Sequence, residues 1–131
     1  MKTHESDVKR ILLVEDEPAI CALCQRVLPG EGFEVYIAAN GKIAQDMIEK
    51  QEYQLFLIDI RMPVMTGKEL YQWLEEKHPL LISKVIFTTG SVISGDTQLF
   101  MKQTGRPYLP KPFTATELTS IVKETLKAIG N

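Results

Sequence analysis

The run Leu55-Phe56-Leu57-Ile58 contains no polar side chain and ends on Asp59. A strand with one face in water alternates apolar and polar residues, whereas an unbroken apolar run marks a strand covered on both faces. Ile11-Leu12-Leu13-Val14 repeats the pattern and ends on Glu15-Asp16, and Val85-Ile86-Phe87 ends on Thr88-Thr89-Gly90. Helical patterns separate these runs, and strands alternating with helices imply a parallel sheet with helices on both faces. In such open sheets ligands bind outside the carboxyl ends of the strands. There this chain places acids, hydroxyls and, after Tyr108-Leu109-Pro110, a lysine, Lys111.

The pattern along the chain sets the expected order. Arg10 to Val14 reads as the first strand. Pro18 suits the first turn of the helix after it, whose apolar stripe is Ile20, Leu23, Cys24, Val27 and Leu28 and whose stop is Pro29-Gly30. Phe33, Val35 and Ile37 alternate with Glu34 and Tyr36, a period of two that suits a half-exposed edge strand. Asn40-Gly41 reads as a turn, and Ile43, Ala44, Met47 and Ile48 as the inner face of a second helix. Leu55 to Asp59 is central. A loop over 62–67 leads to a third helix, with Leu70, Trp73 and Leu74 on one face, that ends near His78-Pro79. Val85 to Thr88 is the fourth strand. A loop from Gly90 to Gly95 then leads to a weak fourth helix carrying Leu99 and Phe100 and ending at Gly105. Pro107 and Pro110 bracket a short fifth strand and assign it to the other edge, since proline donates no ladder hydrogen bond. Thr114-Ala115-Thr116-Glu117 is a capping box, and Phe113 and Leu118 stand at the staple positions of the last helix. Leu118, Ile121, Val122, Leu126 and Ile129 form its inner face.

The expected architecture is therefore α/β: a single (βα)5 doubly wound parallel sheet in the flavodoxin-like order 2-1-3-4-5. It forms one domain over 1–131 with its core at about 9–129, and the last helix leaves no room for an output domain within the chain. Strands 1 and 3 then adjoin at the topological switch point, where Asp16 and Asp59 converge.

Bulk properties narrow the function. A net charge of −2 and a 24% share of charged residues offer no polyanion-binding surface, which argues against direct nucleic-acid binding. No apolar stretch approaches the roughly 18 residues of a membrane span, and the polar start Met1 to Asp7 has no signal-peptide core, so the expected location is cytoplasmic. Cys21 and Cys24 have C-x-x-C spacing but fall within a helical pattern with no second Cys/His pair, so Cys24 reads as a core residue rather than part of a zinc or redox site. His4 and His78 look incidental.

Taken singly, each candidate has an ordinary reading. Glu15 and Asp16 suit a helix N-terminus, Asp59 a capping carboxylate in a loop, Lys111 a solvated surface lysine, and Thr88, Thr89 and Tyr108 plain strand positions. Together, the segments ILLVEDEP, LFLIDIRMP followed by MTG, VIFTTG and YLPKPF stand in an order and spacing that resembles the receiver domain of two-component response regulators. The likeness runs from about Lys9 to Ile129.

The resemblance implies a role for each matching position. Asp59 would be the phosphoacceptor, and Glu15 and Asp16 the acidic pair that binds Mg²⁺ (or Mn²⁺) together with Asp59 and the backbone carbonyl of Arg61. Thr89 would be the switch hydroxyl, Lys111 the lysine that pairs with the phosphoryl group, and Tyr108 the aromatic that changes rotamer. A cis bond is implied before Pro112. The implied partners are a histidine kinase or histidine phosphotransfer protein as donor, and a downstream target that meets helix 4, strand 5 and helix 5. The resemblance leaves open a monomer or a dimer, and a stand-alone regulator or part of a hybrid histidine kinase, with the stretch from Gly90 to Phe113 leaning toward the kinase-fused lineage. Glu15 stands where aspartate is commoner and Gly90 where alanine is frequent, while Arg61 and Ser91 hold positions that tune phosphoryl lifetime.

The physical chemistry agrees. Phosphoryl transfer needs positioning and charge stabilisation, Mg²⁺ takes a few carboxylates and keeps several waters, and clustered carboxylates repel one another without a cation. One rival is a phosphorylation-independent pseudo-receiver, which would ordinarily lack Asp59 or Lys111. A flavodoxin-like flavin binder is another, but its phosphate loop would have to be Glu15-Asp16-Glu17-Pro18, which repels phosphate.

Overall fold

The computed structural model describes residues 8–62, 64–90 and 95–130. Among these, the strands β1 (Lys9–Val14), β2 (Phe33–Ala38), β3 (Leu55–Asp59), β4 (Val85–Thr89) and β5 (Tyr108–Pro110) pair in parallel in the order β2-β1-β3-β4-β5. The helices are α1 (Pro18–Val27), α2 (Gly41–Lys50), α3 (Gly67–Lys77), α4 (Gly95–Thr104) and α5 (Ala115–Gly130). This is the doubly wound order that the apolar runs and proline-flanked edge imply.

The unbroken apolar runs have their physical cause in two cores, one on each face of the sheet. Leu12, Val14, Phe56, Ile58, Val85 and Phe87 face a core shared with Ala44, Ile48, Leu70, Leu74 and Phe100 of α2, α3 and α4. The alternate residues Ile11, Leu13, Leu55, Leu57 and Ile86 face the other core, with Ile20, Cys24, Leu118 and Val122 of α1 and α5. Each such side chain fully removed from water contributes about 1.5–3 kcal/mol, so the stretches 11–14, 55–58 and 85–87 are apolar on both faces.

Several local details differ from the sequence expectation. Helix α1 ends at Val27, just ahead of Pro29-Gly30, but the chain then makes a 3-10 turn over Leu28–Glu31 that is closed by Gly32 at φ +90°, a left-handed conformation that favours glycine. Asn40 is the N-cap of α2 rather than part of a free turn, its side chain accepting a hydrogen bond from the Ile43 amide at 2.9 Å. Ile43, expected inside, is 44% exposed. A second capping box begins α3, where the Thr66 hydroxyl accepts from the Glu69 amide and the Glu69 carboxylate accepts from the Thr66 amide. A 3-10 turn, Pro79–Lys84, follows α3. On β2, Glu34 is exposed, but Tyr36 is half-buried because its ring packs edge-on against Tyr53 at 5.6 Å. Ser91, His4, Pro63 and the middle of the Gly90–Gly95 loop lie outside the described residues.

The expected capping box of α5 is present: the Thr114 hydroxyl accepts from the Glu117 amide, and the Glu117 carboxylate accepts from the Thr114 amide. Phe113 and Leu118 are buried in the same core. Helix α4 is the most lightly held, since its most buried side chains, Phe100 and Met101, are still 6% and 8% exposed.

Candidate functional site

Three strand ends converge. Glu15 extends β1 by one residue, its amide donating to the Ala38 carbonyl at 3.0 Å, which turns its side chain inward to 1% exposure. Asp59 ends β3 opposite Thr88 of β4 and is also buried. Beyond β5, the Lys111 amide donates to the Thr89 carbonyl at 2.8 Å, and the Lys111–Pro112 peptide bond is cis.

The Lys111 ammonium lies at the centre of these acids. Its Nζ donates to Glu15 Oε2 at 3.0 Å, to Glu17 Oε1 at 3.1 Å and to Asp59 Oδ2 at 3.1 Å. An ammonium has three donors, and here each meets a carboxylate. The Lys111 side chain is only 8% exposed, so these are mostly desolvated ion pairs. Burial works against the charged ammonium, but its hydrogen bonds to Glu15, Asp59 and Glu17 outweigh that and hold its pKa above the usual lysine value. Burial pushes the Glu15 carboxyl above its ordinary value of 4.5; the hydrogen bond from Lys111 opposes the shift and the charge of Asp59 adds to it.

The remaining contacts orient the acids. Asp59 Oδ1 accepts from the Arg61 amide at 3.0 Å, and Glu15 Oε2 accepts from the Glu17 amide at 3.1 Å. One carboxylate oxygen from each of Glu15, Asp16 and Asp59 lies within 4.8 Å of the others, with Asp16 exposed. Asp16 and Asp59 open into a cleft of about 350 Å³ that is also lined by Glu17, Arg61, Gly90 and Lys111. The donors are all hard oxygens, as Mg²⁺ requires. Glu15 Oε1 is buried and accepts no hydrogen bond of proper geometry, although it lies 2.9 Å from Lys111 Nζ. A buried carboxylate oxygen with unused acceptor capacity fits a divalent cation.

Glu15, Asp16, Asp59 and Lys111 are therefore brought together. Thr89 is buried at the end of β4, while Tyr108 is 42% exposed on edge strand β5. Cys21 and Cys24 are both free thiols; burial pushes the Cys24 thiol up to about 12, and burial followed by the charges of Glu15 and Asp16 raises that of Cys21. Sequence reasoning did not anticipate Glu17 as a partner of Lys111, 94 residues away. It also did not anticipate Gly67, which packs against the Asp59 backbone.

The family model of the response regulator receiver domain matches residues 11–123. This chain belongs to that family. The receiver domain superposes with a TM-score of 0.83 on a response regulator receiver domain protein from Methanospirillum hungatei, at 34% identity and with 93% of this chain and 96% of that one covered. It superposes with a TM-score of 0.82 on the receiver domain of a signal transduction histidine kinase from Syntrophus aciditrophicus, at 26% identity, covering 94% and 93% of the two chains. Among curated proteins it is 32% identical over 117 residues to the probable transcriptional regulator ycf29 of Pyropia yezoensis. That alignment takes in 89% of this chain but 53% of the relative, and the Porphyra purpurea counterpart is covered to 56%. The receiver domain thus spans about half the length of the curated relatives it matches.

Proposed function

We propose that this receiver domain accepts a phosphoryl group on Asp59 from the phosphohistidine of a histidine kinase or phosphotransfer protein, in a Mg²⁺-dependent reaction. The observation that carries the reading is the Lys111 ammonium, held 3.1 Å from Asp59 Oδ2 with both side chains largely buried. A cation held there offsets the charge of the incoming group, and positioning plus charge stabilisation is most of what phosphoryl transfer asks of a protein. The Arg61 amide holds Asp59 Oδ1 and so fixes the plane of the carboxylate. Glu15, Asp16, Asp59 and the Arg61 carbonyl would hold Mg²⁺. When bound, the ion supplies charge neutralisation for the acids and for the transferred oxygens.

The output follows from the strand ends. Thr89 leads out of β4 and pairs in register with Pro110 of β5. A hydroxyl drawn toward a phosphoryl oxygen at this point vacates space that Tyr108 can enter, which changes the surface formed by α4, β5 and α5. The downstream partner would read that surface. No described helix is long and apolar enough to cross a membrane, and we place the domain in the cytoplasm, where its phosphohistidine donors act. The curated relatives favour a parent protein that is a transcriptional regulator, with any contact to DNA made outside this domain.

The test is intact mass after incubation with phosphoramidate in Mg²⁺ or EDTA, for wild type and Asp59→Asn. A Mg²⁺-dependent gain of one phosphoryl group, absent from the variant, is expected. No gain by wild type under either condition would shift the reading to a phosphorylation-independent interaction module on the same fold.

A further inference from the structure

Glu17 stands apart from the acids used above. It lies outside the group formed by Glu15, Asp16 and Asp59, yet its Oε1 lies 3.1 Å from Lys111 Nζ and its side chain is 54% exposed. The usual task of an acid at the start of a helix is to cap it, but Glu17, the N-cap residue of α1, makes no side-chain capping hydrogen bond. What its carboxylate does hold is Lys111.

The three ammonium donors are already committed to Glu15, Glu17 and Asp59. A phosphoryl oxygen can therefore be served by Lys111 only if one acceptor gives way or shares. Glu15 is buried, and removing its cation would leave a desolvated charge without compensation, a large cost. Glu17 is half in water, so solvent replaces the lysine at little cost. Its charge also lines the cleft through which an anionic donor must approach.

We infer that Glu17 is a positioning residue that tethers Lys111 in the resting site and competes with the phosphoryl group for it, so that Glu17 slows phosphoryl uptake. This inference rests on the reading of Asp59 as acceptor. In the test reaction a carboxylate oxygen of Asp59 forms the new P–O bond as the P–N bond of phosphoramidate breaks, and the nitrogen, already protonated in the zwitterionic donor, leaves as ammonia.

The experiment measures the rate of phosphoryl uptake from phosphoramidate in saturating Mg²⁺, for wild type and Glu17→Gln, at low and high ionic strength. It is paired with the ¹⁵N–¹H signal of the Lys111 ammonium in the unphosphorylated proteins. Gln preserves the size of the side chain, so a merely structural role would leave both readouts unchanged. The expected result is a rate faster by about two- to ten-fold, shrinking as salt screens the lost charge, with a shifted Lys111 signal. Uptake by both proteins at equal rates, a slower variant or an unmoved Lys111 signal would overturn this inference alone. No uptake by either protein would overturn the phosphoacceptor reading, and this inference with it.

Discussion

A Cβ on Gly67 would collide with the carbonyl oxygen of Asp59. The first residue of α3 thus rests directly on the backbone of the candidate acceptor, and the Gly67 amide donates to the Ile60 carbonyl at 2.9 Å. Neither neighbour is a flexible side chain that could step aside. Gly67→Ala is expected to cost more than about 3 kcal/mol of stability or to displace Asp59. Gly41 provides the contrast: a Cβ there would first meet the Met65 side chain, its Cγ, Cβ and Sδ at 2.8–2.9 Å. The Met65 Cγ and Sδ repack readily while its Cβ is fixed to the backbone, so Gly41→Ala should cost about 1–2 kcal/mol, less than Gly67→Ala. Urea unfolding of both variants, with the phosphoryl-uptake assay, checks the pair.

Val64 has φ +70° and is 77% exposed. A β-branched residue in the left-handed region is strained by about 1–2 kcal/mol, and its side chain, mostly in water, recovers little of that by packing. Val64→Gly should raise the unfolding free energy by about 1 kcal/mol despite glycine's larger chain entropy, as read by urea denaturation. A loss of stability would show that the Val64 side chain contributes more than its exposure implies.

The Arg106 guanidinium reaches back to the start of β4, with Nε donating to the Val85 carbonyl at 3.0 Å and a terminal nitrogen donating to the Ser83 carbonyl at 2.7 Å. Burial lowers its pKa from the ordinary arginine value, with a smaller opposing influence from Tyr71. Arg106→Ala removes both charge-assisted bonds and should cost about 1–3 kcal/mol. Arg106→Lys, which cannot fork across two carbonyls, should recover only part of it. Thermal unfolding of both variants decides this.

The acid cluster predicts a pH dependence in the absence of metal. The Glu15 carboxyl is raised chiefly by burial, so the folded protein holds that proton more tightly than the unfolded chain. Stability then rises as pH falls from neutral through the raised value, and the gain is complete below the ordinary value of 4.5. In EDTA, wild type should gain stability relative to Glu15→Gln between neutral and mildly acidic pH. A divalent cation, which favours the ionised form, should flatten that difference. A gap that stays constant with pH in EDTA would assign the effect to other groups.

Much of the fold was legible because burial on two faces leaves a direct mark. Leu55 to Ile58 and Ile11 to Val14 had to be apolar at every position, and the prolines around Tyr108-Leu109 could only suit an edge. The capping box at Thr114 announced itself through the staple pair Phe113 and Leu118. The equivalent box at Thr66 was obscured by Gly67, a poor helix former required by the close approach to Asp59. Asn40 was hidden in the same way, since Asn-Gly reads as a turn until the Ile43 amide is seen to need an acceptor. In the site, Asp59, Glu15, Asp16 and Lys111 could be gathered because strand order places their strand ends side by side. Glu17 and Arg106 could not, because a long polar side chain that crosses to another element leaves no periodicity behind.

The light seating of α4 has a mechanical consequence. The Phe100 ring touches Phe87 of the sheet and Tyr71 of α3 edge-on, at 5.5 and 5.8 Å, and no side chain of the helix is sealed completely inside. Re-seating this helix would disturb only the margin of one core, where Phe100 and Met101 sit, and would leave the opposite core untouched. In the proposed switch, a small event at the tips of the strands would be spent on relocating one surface element, with the rest of the molecule as the frame against which that displacement is read.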